Sequence, residues 1–207
     1  MRSPRIFLFL LFTLLLPGFA AAKGFSTVVI DAGHGGHNMG QAVGGVYEKW
    51  MALDTALRLE KFLRAKGVKT VMTRRSDVFL GLEERVAIAN RYAKDSVFVS
   101  VHFNGAKNTG AHGIETFYYN RSGYELAARV HRRKIAALRG VDRGVKFGRY
   151  HVIRNTKQAG ILVEGGFLTN AAERKKIATG PYRQAMAEAI GQGILDYQAA
   201  LKKGVAR

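Results

Sequence analysis

Three short apolar runs constrain this chain more than anything else in it. Val28-Val29-Ile30, Val97-Phe98-Val99-Ser100-Val101 and Ile161-Leu162-Val163 are short for helices and almost continuously apolar. Such runs suit strands of a parallel sheet covered on both faces. Between them lie segments with helical periodicity. Over 48–66, Ala52, Ala56, Leu59 and Leu63 fall on one stripe, and Gly67 ends it. Residues 80–93 place Leu82, Val86, Ala89 and Ala93 on one face. A last helix opens near Pro181 and aligns Met186, Ile190, Gly193, Tyr197 and Leu201. The pattern adds strands at 68–73 and 113–119 and a basic helix from about Gly123 to Leu138. It also predicts a glycine-rich connection from Gly140 to Gly148, leading to a short strand near Tyr150–Ile153. Strands alternating with helices predict one α/β domain with a twisted, mostly parallel sheet and helices on both faces.

The apolar runs share a second property: each leads into chemistry-bearing residues. The first enters the turn Ala32-Gly33-His34-Gly35-Gly36-His37, the second is followed by His102, and the third ends at Glu164. In open α/β sheets the carboxyl ends of strands form the ligand-binding rim. Glu48 opens the first expected helix, whose start lies at the same rim. Each residue also has a bland reading. Glu48 could only cap its helix, His102 could be a hydrogen-bonded core residue, and His37 competes with His34. His34 is favoured because it sits nearer the strand end. Two imidazoles and a carboxylate with an open fourth position are the ligand set of hydrolytic zinc sites. Glu164 could then act as general base, or as a fourth ligand that closes the site.

The N-terminal residues are read separately. Arg2 and Arg5 precede the apolar stretch Ile6–Leu16, Pro17-Gly18 breaks it, and Ala20-Ala21-Ala22 offers a cleavage site. Residues 1–22 therefore read as a secretory signal, a retained anchor being the alternative. The mature domain is 23–207, and the expected location is the periplasm, cell wall or extracellular space. There is no cysteine, so disulfides, thiolate metal sites and cysteine nucleophiles are excluded. The formal charge is +18, which favours an acidic partner. Export argues against nucleic acid and leaves acidic wall polymers or an anionic membrane surface.

A longer set of motifs is recognisable in order. It comprises Val29-Ile30-Asp31-Ala32-Gly33-His34-Gly35-Gly36, Glu48, Thr73-Arg74 with Asp77, Leu82 with Arg85, Ala89-Asn90, and Ser100-Val101-His102-Phe103-Asn104. Gly113-Ile114-Glu115-Thr116-Phe117-Tyr118-Tyr119, Val152-Ile153-Arg154-Asn155-Thr156 and Leu162-Val163-Glu164-Gly165-Gly166-Phe167-Leu168-Thr169-Asn170 complete it. The chain thereby resembles the zinc-dependent N-acetylmuramoyl-L-alanine amidases of the amidase-3 family, from about Thr27 to Tyr197. The resemblance implies a sheet of about six strands. It implies that His34, Glu48 and His102 hold one Zn2+ and that Glu164 is the catalytic carboxylate. The implied reaction is hydrolysis of the amide between the lactyl group of N-acetylmuramic acid and L-alanine in peptidoglycan. Some periplasmic members carry a helical insertion that blocks the zinc until an activator binds. Here the segment 103–163 is filled by expected strand and helix, so no self-blocking element and no separate wall-binding domain are expected, and no activator is identified. The alternatives are a zinc peptidase cutting within the stem peptide and a non-catalytic basic wall-binding protein. Among other residues, Glu115 is expected to be structural, Arg74 and Arg85 to pair with Asp77, Asn104 to orient substrate or His102 or to serve a turn, and Trp50 to pack.

Overall fold

The computed structural model describes residues 24–206, and the expected signal segment lies outside them. The main sheet has six strands in the order β4-β1-β5-β8-β6-β7. These are β1 (Thr27–Ala32), β4 (Lys69–Met72), β5 (Ser96–Asn104), β6 (Ile114–Tyr118), β7 (Asp142–Phe147) and β8 (Ala159–Phe167), and a two-residue hairpin pairs β2 (Ala42–Val43) with β3 (Val46–Tyr47). Neighbours in the main sheet run parallel except β8 and β6. The three apolar runs are its central strands, as burial on both faces requires.

One face carries α1 (Glu48–Ala65), α3 (Arg121–Leu138) and α6 (Gly180–Lys202) over the larger core. The expected stripe of Ala52, Ala56, Leu59 and Leu63 is fully buried there. Gly193 lets α6 cross α3 closely, since a Cβ on it would come within 2.4 Å of Val130 Cα. The opposite face carries α2 (Leu82–Asn90) and α4 (His151–Asn155), packed on Val29, Phe98 and Leu162. A short helix, α5 (Ala171–Ile177), follows β8 and is capped by Asn170. Among the described residues no helix is long and apolar enough to cross a membrane.

Three expectations need correction. The segment Tyr150–Ile153 is not a strand: it leads into and forms most of α4, and Val152 and Ile153 are both buried beneath it. Two adjacent apolar residues fit a short helix as well as a strand, so periodicity could not decide. The strand lies earlier, in the segment read as a glycine-rich connection. β7 accommodates Gly144 at φ 85 by a register shift against β6. Finally, α2 ends at Asn90, where a 3-10 turn over Ala93–Asp95 redirects the chain into β5, and Leu82 is 54% exposed instead of buried.

Candidate functional site

The turn after β1 is held from behind by two buried arginines. Arg85 donates from Nη1 to Asp31 Oδ1 and Ala32 O, both at 2.7 Å, and from Nη2 to His34 O at 2.6 Å. Arg74 donates from Nε to Ala32 O at 2.9 Å and from Nη2 to Gly33 O at 2.6 Å and Lys49 O at 2.8 Å. These bonds satisfy carbonyls that a tight turn would otherwise leave orphaned. They also hold His34 at φ 59, a backbone region that non-glycine residues seldom adopt. Burial works to raise the Asp31 pKa, but the Arg85 charge and bonds from Ser100, Thr73 and Arg85 outweigh it and lower the pKa. Neither arginine pairs with Asp77. That carboxylate instead accepts Lys49 Nζ at 2.6 Å and Gly36 N at 2.9 Å. Arg85 reaches the interior, where the desolvated Asp31 charge needs a cation more than an exposed aspartate does.

Glu48 is the first residue of α1, yet its side chain turns inward, so capping does not account for it. Oε1 lies 2.9 Å from His34 Nε2 and 2.9 Å from His102 Nδ1, and it accepts Phe103 N at 3.1 Å. Oε2 accepts Gln41 N at 2.9 Å. Burial pushes the Glu48 carboxyl up, but the two imidazoles pull it far below the ordinary carboxylate range. His34 is desolvated too, yet the Glu48 carboxylate nets its pKa upward. The His34 ring is fixed from its other side, with Nδ1 2.9 Å from Asn38 Oδ1. Two glycines make room for these side chains. A Cβ on Gly33 would come within 2.3 Å of the His102 ring, and one on Gly40 within 2.5 Å of Glu48 Oε2.

One ligand atom each from His34, Glu48 and His102 lies within 4.8 Å of the other two. Two neutral imidazole nitrogens and a carboxylate oxygen match the donor set of hydrolytic zinc. With an ion in place, the His34–Asn38 contact would be the outer partner that fixes the tautomer, Nδ1 donating to Asn38 Oδ1 and Nε2 turned to the metal. The side chains of His34 and His102 retain 22% and 19% exposure, so the cluster has an open side. His37 is exposed, stacks on Phe79 at 4.1 Å and takes no part.

Glu164 sits on β8 directly beside His102, its register partner on β5. It is buried, and its Oε2 has no hydrogen-bond partner. Burial first, then the Glu48 charge, push its pKa well above the usual carboxylate value, with Lys134 pulling against them and Glu115 adding to them. Glu115 is its antiparallel partner on β6 and is itself paired with Arg143 and Lys146. Lys134, fully buried on α3, donates to Glu115 O at 2.7 Å and Glu164 O at 3.1 Å. Asn104 serves a turn, accepting Gly105 N at 2.8 Å. Trp50 is not packed as expected: it is 46% exposed, meets Tyr47 at 4.7 Å and points its N–H at Asp77. The segment between His102 and Glu164 is taken up by β6, α3, β7, α4 and their links. Sequence reasoning missed Asn38 and Lys134. Asn38 was available as an amide four residues after His34, and Lys134 as a charge continuing the stripe Leu126–Val130.

The chain matches the family model described as N-acetylmuramoyl-L-alanine amidase over residues 28–196. It is 36% identical over 175 residues to N-acetylmuramoyl-L-alanine amidase LytC of Bacillus subtilis (strain 168), covering 83% of this chain and 35% of LytC. It thus spans about a third of the length of the first curated relatives it matches, 35% of each. A solved N-acetylmuramoyl-L-alanine amidase from Clostridium difficile 630 is 35% identical with a TM-score of 0.82, covering 86% of this chain and 98% of that one. The amidase AmiC2 of Nostoc punctiforme is 38% identical with a TM-score of 0.79, covering 83% and 96%. With the match running from the first strand of the sheet into its last helix, this chain belongs to the N-acetylmuramoyl-L-alanine amidase family.

Proposed function

We propose that the protein hydrolyses the amide between the lactyl group of N-acetylmuramic acid and L-alanine in peptidoglycan, with one Zn2+ held by His34, Glu48 and His102. The observation that carries this reading is the convergence of those three donors beside a buried, partly unpartnered Glu164. A zinc ion there supplies Lewis acidity that polarises the scissile carbonyl and makes water a better nucleophile at neutral pH. The chain's own residues do the rest. Asn38 orients His34, and Arg74 and Arg85 hold the turn that presents it. Glu164 takes the proton of the attacking water on its carboxylate and returns it to the departing alanine nitrogen. Its desolvation raises the affinity of that carboxylate for the proton it takes up. Glu164 also stands outside the three-residue ligand cluster, which supports a base over a fourth ligand.

The site of action is the cell wall, where the substrate lies, and the formal charge of the mature chain, +16 once Arg2 and Arg5 are removed from the +18 of the full sequence, favours retention on acidic wall polymers. Raised salt should release the protein from sacculi, and binding indifferent to salt would remove charge as the anchor. The main test is mass spectrometry of muropeptides after digestion. An amidase exposes the amino group of L-alanine and leaves peptide-free glycan. A peptidase cutting within the stem leaves the lactyl amide intact, and a wall-binding protein leaves the sacculus whole. Chelation should stop the reaction and added zinc restore it.

A further inference from the structure

A cavity of about 240 Å³ opens beside the two histidines, on the face of the sheet that carries α2 and α4. His34 and His102 form one wall, and Phe79, Leu82, Tyr150 and Val152 contribute to the others. Three of these apolar side chains are largely exposed, Phe79 at 45%, Leu82 at 54% and Tyr150 at 43%. Exposed large apolar groups converging on one mouth mark a binding surface more often than chance exposure does. The cavity is also poor in free charge. Arg85 lies in its wall, but its donors are engaged by Asp31, Leu80 O, Ala32 O and His34 O. His151, the other basic group in the wall beside the two candidate ligands, has Glu83 2.9 Å from its buried Nε2 as a compensating charge, although the contact lacks hydrogen-bond geometry.

The substrate is asymmetric about the scissile amide. On the amine side, L-alanine leads into a stem peptide that carries carboxylates and would need an open cation. On the acyl side lie the lactyl methyl, the pyranose ring and the acetamido methyl, none of them charged before cleavage. We propose that this cavity seats the muramyl half of the substrate, so that specificity for an acyl group bearing a sugar is decided by Phe79, Leu82, Tyr150 and Val152. The volume is below the roughly 300 Å³ at which small-molecule pockets usually begin, which suits one sugar residue and not a disaccharide with its peptide. Phe79, stacked on one side by His37 at 4.1 Å, and Tyr150, which meets Phe117 at 4.9 Å, are 45% and 43% exposed and leave the rest of their ring surface for the apolar side of a pyranose. The inference rests on the amidase reading for its substrate.

Its test uses the zinc-loaded protein, two substrates and one ligand. N-acetylmuramyl-L-alanyl peptide is compared with lactoyl-L-alanyl peptide, which keeps the amide and lacks the sugar. The N-methylamide of N-acetylmuramic acid, uncharged like the acyl half before cleavage, is titrated by calorimetry. The variants are Phe79→Ala and Leu82→Asp. Leu82 is exposed at the first position of α2, where a carboxylate is favoured, so that variant should fold. In both variants the kcat/KM ratio of muramyl to lactoyl substrate should fall about tenfold, mainly through KM. Binding of the N-methylamide should weaken in step. An unchanged ratio with unchanged binding overturns the proposal. So does an equal loss on both substrates, which would put the alanyl side in the cavity. If the wild type cleaves neither substrate, the amidase reading falls. The titration then still decides the cavity: weaker binding of the uncharged N-methylamide in both Phe79→Ala and Leu82→Asp upholds it, and unaltered binding sinks it.

Discussion

The two halves of the site are built in opposite ways. Around His34, two buried arginines bond to the carbonyls of Ala32, Gly33 and His34, and Asp31 accepts from Thr73, Ser100 and Arg85. Around Glu164, a carboxylate oxygen is buried with no partner at all. A metal ligand must be held in one place, so saturated bonding suits it. A proton carrier must change its own bonding during the reaction, so an incomplete shell suits it. Burying a carboxylate without a partner costs stability, and that cost falls on the half where chemistry is proposed.

The sharpest way to break this contrast is Glu164→Gln. The amide keeps the shape, removes the base and relieves a buried carboxylate. Turnover should fall about 100- to 10,000-fold, with zinc content and thermal midpoint unchanged or the midpoint raised. Dye release from labelled sacculi, metal analysis and a melting curve check it together. Retained activity would end the proton-carrier role. Arg85→Met attacks the other half. It strands the Asp31 charge and leaves the His34 carbonyl without its arginine donor, while Ala32 O keeps Arg74, so the fold should lose about 3–5 kcal/mol in urea unfolding. A loss near zero would mean that the turn is not held in the way its hydrogen bonds imply.

The same contrast explains what could be read from the sequence. His34, His102 and Glu164 were legible because each follows or ends an apolar run, and a parallel sheet brings such ends to one rim. Glu48 was legible as the start of the helix that rises from that rim. Arg74 and Arg85 were visible, but their acceptors are mostly backbone carbonyls, which carry no sequence signal, and Asp77 looked like the natural partner. The β7 and α4 assignments failed where Gly144 breaks strand alternation and Val152-Ile153 fits either element. Register shifts and short helices are settled by tertiary packing, which local pattern does not record.

A smaller effect is expected at Asn38, which steadies His34 from outside the cluster. Asn38→Ala should weaken zinc binding about 10- to 100-fold while leaving the fold intact. Competition with a chromophoric chelator measures this directly. Unchanged affinity would show that Arg74 and Arg85 alone orient the ligand loop, which would sharpen the view that this half is over-determined.

Lys134 supplies the subtlest prediction, because it holds the backbone of the Glu164 half from the other face of the sheet. Its Nζ has two carbonyl acceptors, those of Glu115 and Glu164. A neutral amine has two hydrogens to match, whereas an ammonium would leave a third unsatisfied. Burial accordingly lowers its pKa to about 7, with the charges of Glu164 and Glu115 resisting. The unfolded chain holds that proton to about pH 10.4. Between these values the unfolded state binds more protons than the folded one, so stability rises with pH across the window. Below pH 7 both states are protonated and the cost of the buried charge is present in full. The stability of the wild type relative to Lys134→Met should therefore grow from pH 7 toward pH 10, by up to about 1.4 kcal/mol per pH unit. Parallel urea stabilities for the two proteins over that range would mean that Lys134 stays charged and is neutralised by the nearby glutamates. The strand beneath Glu164 would then be pinned by an ion pair, and the contrast between the two halves would shrink to a single unpartnered oxygen.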